Sequence, residues 1–324
     1  LNRRFFAVSI ILSIFFAFFS LVYDSFPLWL YITGIILGII ALYISGDVFL
    51  EEALHVGIKY GISSKSVGTY IISFGAVIDE FAVVFSSSIR GYGSLSFGTI
   101  QGSNVITLII FLPILALVAR KNFSGFRKDG YVLLAVSLVA LAMSVQWIRD
   151  PWYLGIPMIA IYAIYALVNR RPPGDLPQKT EIGVDYTAMV AALVLLGLAA
   201  EALVDYTVAV SRIAGIASFY SGFIITGVAG SLPEIIMFGL IIVRKDREAT
   251  LGITTGTTIY KGSLILGISM LFGTVDLSVG RWSIILMSAL ALIFIFLSFV
   301  RIRKIYAVLP LFAIAATYLV NLMI

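Results

Sequence analysis

Long apolar runs separated by short polar segments recur along the whole chain, and most reach the roughly 20 residues that a helix needs to cross hydrocarbon. The pattern predicts helices over Phe5–Val22, Leu28–Ile58, Val67–Ile89, Leu95–Val118, Tyr131–Trp147, Trp152–Val168, Tyr186–Val210, Phe219–Val243, Leu251–Phe272, Trp282–Val300 and Ile305–Met323. Arg3 and Arg4 ahead of the first run look like the start of a signal peptide, but no small-residue cleavage pattern follows, so a retained helix is expected. The extended, proline-rich segment Arg170–Glu181 divides the chain into halves of similar helix content. The expected organisation is an additional N-terminal transmembrane helix (1–27), a first five-helix unit (28–169), a cytoplasmic linker (170–184) and a second five-helix unit (185–324).

Composition fixes the solvent. Of 324 residues, 60% are hydrophobic and 12% charged, and the mean hydropathy is +1.07, values of an all-α polytopic membrane protein with the lipid bilayer as its main partner. With loops assigned alternately to two sides, nearly all Lys and Arg fall on the N-terminal side; the other side keeps Arg90, Arg149, Arg212 and Arg281. That bias predicts a multi-pass protein of the cell membrane with a cytoplasmic N-terminus and an external C-terminus. The net charge of +5 then requires no nucleic acid. The chain has no cysteine and one histidine, His55, which excludes thiolate and multi-histidine metal sites and a Ser-His-Asp triad. An intramembrane protease is disfavoured too: HExxH is absent, and Glu51-Glu52 lacks an arginine four places after Glu52. No cofactor is expected, and the oligomeric state is not written in the sequence.

A shift of 154 residues aligns Asp47–Thr107 with Glu201–Lys261 without a gap. It pairs Gly61 with Gly215, Gly68 with Gly222, Glu80 with Glu234, Arg90 with Arg244, Gly98 with Gly252 and Gly102 with Gly256. Equivalent positions are separated by five predicted helices, an odd number, so the two copies run in opposite directions through the membrane: an inverted repeat. The repeated stretches are about 67–118 and 219–272.

Within the second copy, GVAGSLPEII (Gly227–Ile236) sets a proline and a carboxylate side by side in an apolar run. Pro233 removes a backbone donor, and Gly227 and Gly230 loosen the same segment, so a helix break is expected there. A break at membrane depth is tolerated only where protein or a watery cavity satisfies the freed groups. Freed carbonyls beside Glu234 are oxygen ligands suited to a hard cation. The matching half is Gly75–Glu80, GAVIDE, which keeps the glutamate and has Asp79 where the proline would be.

GSLPE at Gly230–Glu234, the stretches Gly98–Gly102 and Gly252–Gly256, GSN at Gly102–Asn104, and the acidic segments Asp47–Glu52 and Glu201–Asp205 together resemble the α-repeats of the calcium/cation antiporter superfamily, the sodium/calcium exchangers. The resemblance covers about Leu28–Ile324. It implies a ten-helix inverted-repeat (5+5) core, with Phe5–Val22 as an extra helix, that exchanges Ca²⁺ or a similar divalent cation for Na⁺ or H⁺. Long helices Leu28–Ile58 and Tyr186–Val210 would slide across the four repeat helices. The cation-binding positions so implied are Glu80, Glu234, Ser103, Thr107, Ser231 and Thr257, with Gly230 also before the second glutamate. Asp47, Glu51, Glu201 and Asp205 either line an access path or are ordinary charges at helix ends. Three departures stand out: Ala76 and Val77 replace small hydroxyl residues, Gly230 stands where a threonine is usual, and Lys261 replaces an acidic or amide ligand.

A lysine at a helix centre costs about 2.5–3.5 kcal/mol on insertion scales, so Lys261 needs partners, and Glu80 and Glu234 are the natural ones. Two readings remain open. The ammonium stands in for a bound monovalent cation and couples transport to protons, or it forms a permanent salt bridge in a non-transporting homologue that acts as a membrane binding or scaffold protein. With Glu80 and Glu234 ionised and Lys261 protonated the three carry −1; without the lysine proton they carry −2, which one divalent cation neutralises. Asp79 can shift that balance, although on a regular helix it faces about 100° away from Glu80. Other features have plainer readings. Ser86–Ser88 packs between helices. His55 makes an ordinary polar contact, and the acceptor Asn122-Phe123-Ser124 falls on the cytoplasmic side, unused.

Overall fold

A computed structural model describes residues 11, 27–60, 73–118, 127–145, 152–168, 183–232, 234–235 and 247–299. The expected helices Phe5–Val22 (apart from residue 11) and Ile305–Met323, the linker up to residue 182, and the break at Pro233 lie outside the described residues. Among the described residues there are helices and turns and no strand. They comprise α1 (Leu28–Lys59), α2 (Ile78–Ile89), α3 (Gly93–Val118), α4 (Arg127–Ser144), α5 (Gly155–Val168), α6 (Tyr186–Ala214), α7 (Ser218–Leu232), α8 and α9 (Arg281–Phe299). Helix α8 is composite: Arg247–Tyr260, a π-helical turn Lys261–Ile265, then Leu266–Phe272.

The longest helices follow the longest apolar runs and form one pair. Asp185 caps α6 by accepting the Ala188 N–H at 3.0 Å, and Gly215, at φ 64°, ends it in the left-handed conformation that glycine adopts freely. Tyr31, Ile35 and Leu42 of α1 meet Leu196, Leu203 and Tyr206 of α6 in a shared apolar core. At the end of α1, Glu52 joins the two helix ends by accepting the Asp185 N–H at 2.9 Å, and His55 makes a polar contact with Glu52 at 3.3 Å on the same helix.

Helices α3 and α7 cross backbone to backbone. A Cβ at Gly98 would stand 2.1 Å from the Phe219 carbonyl oxygen, one at Gly102 2.1 Å from that of Phe223, and one at Gly222 2.3 Å from that of Leu95. Small residues allow such closeness where lipid supplies no hydrophobic drive between helices. The π-helical stretch Gly222–Gly227 of α7 falls at this crossing. Gly256, the sequence mate of Gly102, has no atom of another described element within 4 Å of its would-be Cβ, so these two glycines do not play matching packing roles.

Several expected helices differ in extent, and two of the differences bear on the site. The run Val67–Ile89 was expected as one helix; its described part is a short helix Ser73–Gly75, a turn at Ala76–Val77, and α2. Helix α4 begins at Arg127 rather than Tyr131 because Asp129 is buried and accepts the Thr255 hydroxyl at 2.7 Å, which carries the helix into its charged flank. On the outer surface Ile36, Ile164, Leu167, Val194 and Phe296 are exposed, as a hydrocarbon solvent requires. Trp29, Trp152 and Trp282 are also exposed, each at the first turn of its segment, where an amphipathic ring suits a membrane interface.

Candidate cation site

Glu80 sits in the first turn of α2, just after the turn at Ala76–Val77. Ser103 and Thr107 lie one turn apart on α3, beyond the Gly98–Gly102 crossing, and Lys261 opens the π turn of α8. These side chains and that of Glu234 converge. Lys261 Nζ donates to Ser103 Oγ at 2.6 Å and to Glu234 Oε2 at 2.9 Å, and stands 3.2 Å from Glu80 Oε2 and 3.4 Å from Oε1. Ser103 Oγ in turn donates to Glu80 Oε1, and Thr107 Oγ1 donates to Glu234 Oε2 at 2.8 Å.

All five residues are buried, with Lys261 1% and Glu234 0% exposed. Burying these charges singly would be prohibitive, so each group answers another. Three N–H donors of the ammonium face a hydroxyl and two carboxylates, leaving the three side chains at a formal −1. Glu80 Oε2 and Glu234 Oε1 are buried and accept no hydrogen bond. Among the described residues no cluster of three or more acidic, histidine or cysteine side chains forms a metal cage, so any cation here also needs hydroxyl or carbonyl oxygens.

The other residues singled out in the sequence are distributed around this centre. Ser231 donates to the Val228 carbonyl at 2.8 Å and Thr257 to the Thr254 carbonyl at 3.2 Å, so both hydroxyls are turned back on their own helices. Gly75 closes the short helix before α2 and packs against Leu50. Gly230 lies against Glu80: a Cβ there would stand 2.5 Å from Glu80 Cγ and 2.7 Å from Oε1. Asp79 accepts the Glu80 N–H at 2.9 Å and is half-buried.

A partly open cleft, about 280 Å³ including its mouth, reaches Glu80. Its walls are Ile39 and Leu42 of α1, Leu203 of α6, Asp79, Glu80 and Val83 of α2, Thr99 of α3, and Thr226, Ala229 and Gly230 of α7. Outside this lining, Arg90 at the end of α2 pairs with Asp205 of α6 and donates to the Glu201 carbonyl at 3.3 Å. Asp47, Glu51, Glu201 and Asp205 do not line this cleft. Sequence reasoning missed Thr99 and Thr226, whose hydroxyl oxygens lie 2.5 Å apart, because neither has a mate under the 154-residue shift. It also missed the pairing of Arg90, whose mate Arg244 lies outside the described residues.

The sequence profile of the family described as "Sodium/calcium exchanger protein" matches residues 30–170 and again 185–324. The chain is 24% identical over 290 residues to the "Putative antiporter CaxA" of Alkalimonas amylolytica, an alignment that covers 84% of this chain and 91% of that protein. Its fold is similar to the crystal structure of the H⁺/Ca²⁺ exchanger CAX, with a TM-score of 0.63 at 17% identity over 98% of this chain and 92% of that one. A structure of the sodium-calcium exchanger NCX_Mj gives a TM-score of 0.58 at 19% identity, covering 89% and 98%.

Proposed function

The chain belongs to the sodium/calcium exchanger protein family, and from that premise we propose that it is a secondary active cation antiporter. It exchanges Ca²⁺ or a similar divalent cation for H⁺ or Na⁺ by alternating access. The observation that carries this reading is the convergence of Glu80 and Glu234, one from each half, on a single buried positive charge. The place already holds a cation, the protein's own ammonium.

The architecture proposed with it is a 5+5 inverted repeat in the cell membrane with a cytoplasmic N-terminus. The paired family match supports the repeat, and the Lys/Arg bias supports the orientation. The α1–α6 pair is the sliding element, since these two longest helices pack on each other along their length and meet α2 and α3 through only Ile78, Val83 and Leu95 of the shared buried core. Glu80, Glu234, Ser103 and Thr107 bind the cation, and the proton of Lys261 is the coupling ion. When a divalent cation arrives, loss of that proton brings the three side chains to −2 and the occupied site to neutrality. This is the linkage that a divalent/proton antiporter requires.

The test is flux by purified protein in liposomes, with Na⁺ and pH gradients imposed separately. Ca²⁺ movement driven by the pH gradient supports the reading. The hydrogen bonds that Lys261 makes to Ser103 and Glu234 also fit a second one, a non-transporting homologue locked by its own salt bridge. Ca²⁺ binding without flux under either gradient would favour that alternative.

A further inference from the structure

We propose that a divalent cation docks at an outer station between the carboxylates of Asp79 and Glu80, facing the cleft, before Lys261 yields the centre. The proposal rests on the antiporter reading and adds a site to it. With all three ammonium N–H groups turned to Ser103, Glu234 and Glu80, an arriving cation meets a like charge at the centre. It must therefore be held somewhere while the lysine proton is still present.

The cleft offers that place. Asp79 and Glu80 both line it, and among the described residues no Lys, Arg or His nitrogen pairs with Asp79. An intramembrane carboxylate without a cationic partner is expected to serve one. Glu80 is 97% buried, and its Oε2 accepts no hydrogen bond, with the lysine nitrogen 3.2 Å away outside hydrogen-bonding geometry.

Two further features fit an oxygen-ligated ion. Thr99 Oγ1 is 3.0 Å from the Leu95 carbonyl, Thr226 Oγ1 is 2.8 Å from the Gly222 carbonyl, and the two hydroxyl oxygens are 2.5 Å from each other. Each hydroxyl oxygen has two lone pairs and accepts at most one of these hydrogen bonds, so a lone pair remains on the cleft wall. Gly230 leaves open the volume that any side chain would fill, since a Cβ there would collide with Glu80. Carboxylates and hydroxyls are the donors that hard divalent cations take.

Charge selects the valence. Asp79, Glu80 and Glu234 with protonated Lys261 sum to a formal −2, so a divalent cation neutralises the group without displacing the lysine proton, whereas a monovalent one leaves −1. Asp79 thus restores, one residue from Glu80, the acid that position 261 lacks.

The test is Ca²⁺ titration calorimetry on the purified full chain, with Mn²⁺ as a second probe, beside Ca²⁺ flux in liposomes. Asp79→Asn removes the charge and keeps the oxygen that accepts the Glu80 N–H, so α2 can still start normally. The expected result is Ca²⁺ affinity at least tenfold weaker and half-saturation of flux raised by a similar factor, with the maximal rate within about twofold. Asp79→Glu should return affinity to within about threefold, and Thr226→Val should weaken it severalfold. Affinity and half-saturation unchanged in both Asp79→Asn and Thr226→Val, with binding lost in Glu234→Gln, would overturn the outer station and leave the antiporter standing. Failure of the unmodified chain to bind or move either ion would overturn both.

Discussion

Ser103 Oγ lies 2.6 Å from Lys261 Nζ and hands its own proton to Glu80, so one hydroxyl both accepts from the ammonium and donates to the carboxylate. Removing it leaves a buried N–H and a buried carboxylate oxygen each short of a partner. Ser103→Ala should therefore lower stability by about 1–3 kcal/mol, read as a fall in the thermal unfolding midpoint of the purified protein. Ser103→Thr, which keeps the hydroxyl, should recover part of the loss.

Lys261 decides the coupling ion. Flux in the unmodified protein should respond to a pH gradient more than to a sodium gradient, and Lys261→Asp should increase sodium dependence. Robust sodium-driven Ca²⁺ flux in the unmodified chain, indifferent to pH between about 6 and 8, would return the lysine to a structural role. Lys261→Met leaves two buried carboxylates without their cation, and should cost about 3–5 kcal/mol, a penalty that added Ca²⁺ partly offsets.

Glu234→Gln keeps shape and removes charge. It should abolish flux and reduce thermal stabilisation by Ca²⁺ to what the station at Asp79 and Glu80 alone provides, while the hydrogen bond from Thr107 survives on the amide oxygen. Unchanged stabilisation would place the cation elsewhere.

The glycines of the crossing should divide sharply. Gly102→Ala drives a methyl to 2.1 Å from a backbone carbonyl that has no rotamer to give, so the α3–α7 contact must open and the folded yield should collapse. Gly256→Ala meets open space and should be tolerated, with helix propensity slightly in its favour. Comparing the two by thermal unfolding separates packing from composition.

Arg90 ties α2, the helix of Asp79 and Glu80, to α6, which forms part of the cleft wall. The pair is partly exposed, and such bridges contribute about 0.2–1 kcal/mol. Because the bridge coexists here with an open cleft, Asp205→Ala should reduce the open population by up to about fivefold. The chain has no cysteine, so the labelling rate of Ala229→Cys by a thiol reagent reports that population directly. The charge-swapped pair, Arg90→Asp with Asp205→Arg, should restore it.

The long helices were legible because a hydrocarbon solvent demands a continuous apolar run for each. The bounds of α1 and α9 agree with the expected runs within a residue at either end, and α6 runs one turn beyond its expected end because Ser211 and Arg212 still lie on the helix. The pairing of Glu80 with Glu234 was legible because a carboxylate repeated at membrane depth is costly in both places. What escaped was set by contacts between helices. The periodicity of α2 gives no sign that Gly230 would rest against Glu80, and the pairing of Arg90 with Asp205 depends on how α2 lies against α6. Ser231 and Thr257 were singled out by position in a repeat, yet a hydroxyl on a helix is always free to satisfy itself on the preceding turn, and both do.

The π turn at Lys261–Ile265 holds one residue more than an α-helical turn would. Gly267, just beyond it, is pinned against Gly155 of α5, so the downstream end of the helix cannot rotate to compensate for a change in length. Deleting Gly262 would leave charge and hydropathy nearly untouched, yet it would swing the lysine by about 100° around the helix axis, away from its carboxylates. The face that this helix presents to Glu80 and Glu234 is thus encoded in the length of a segment, and two chains with the same residues at the site can differ in their chemistry by a single inserted residue that carries no side chain.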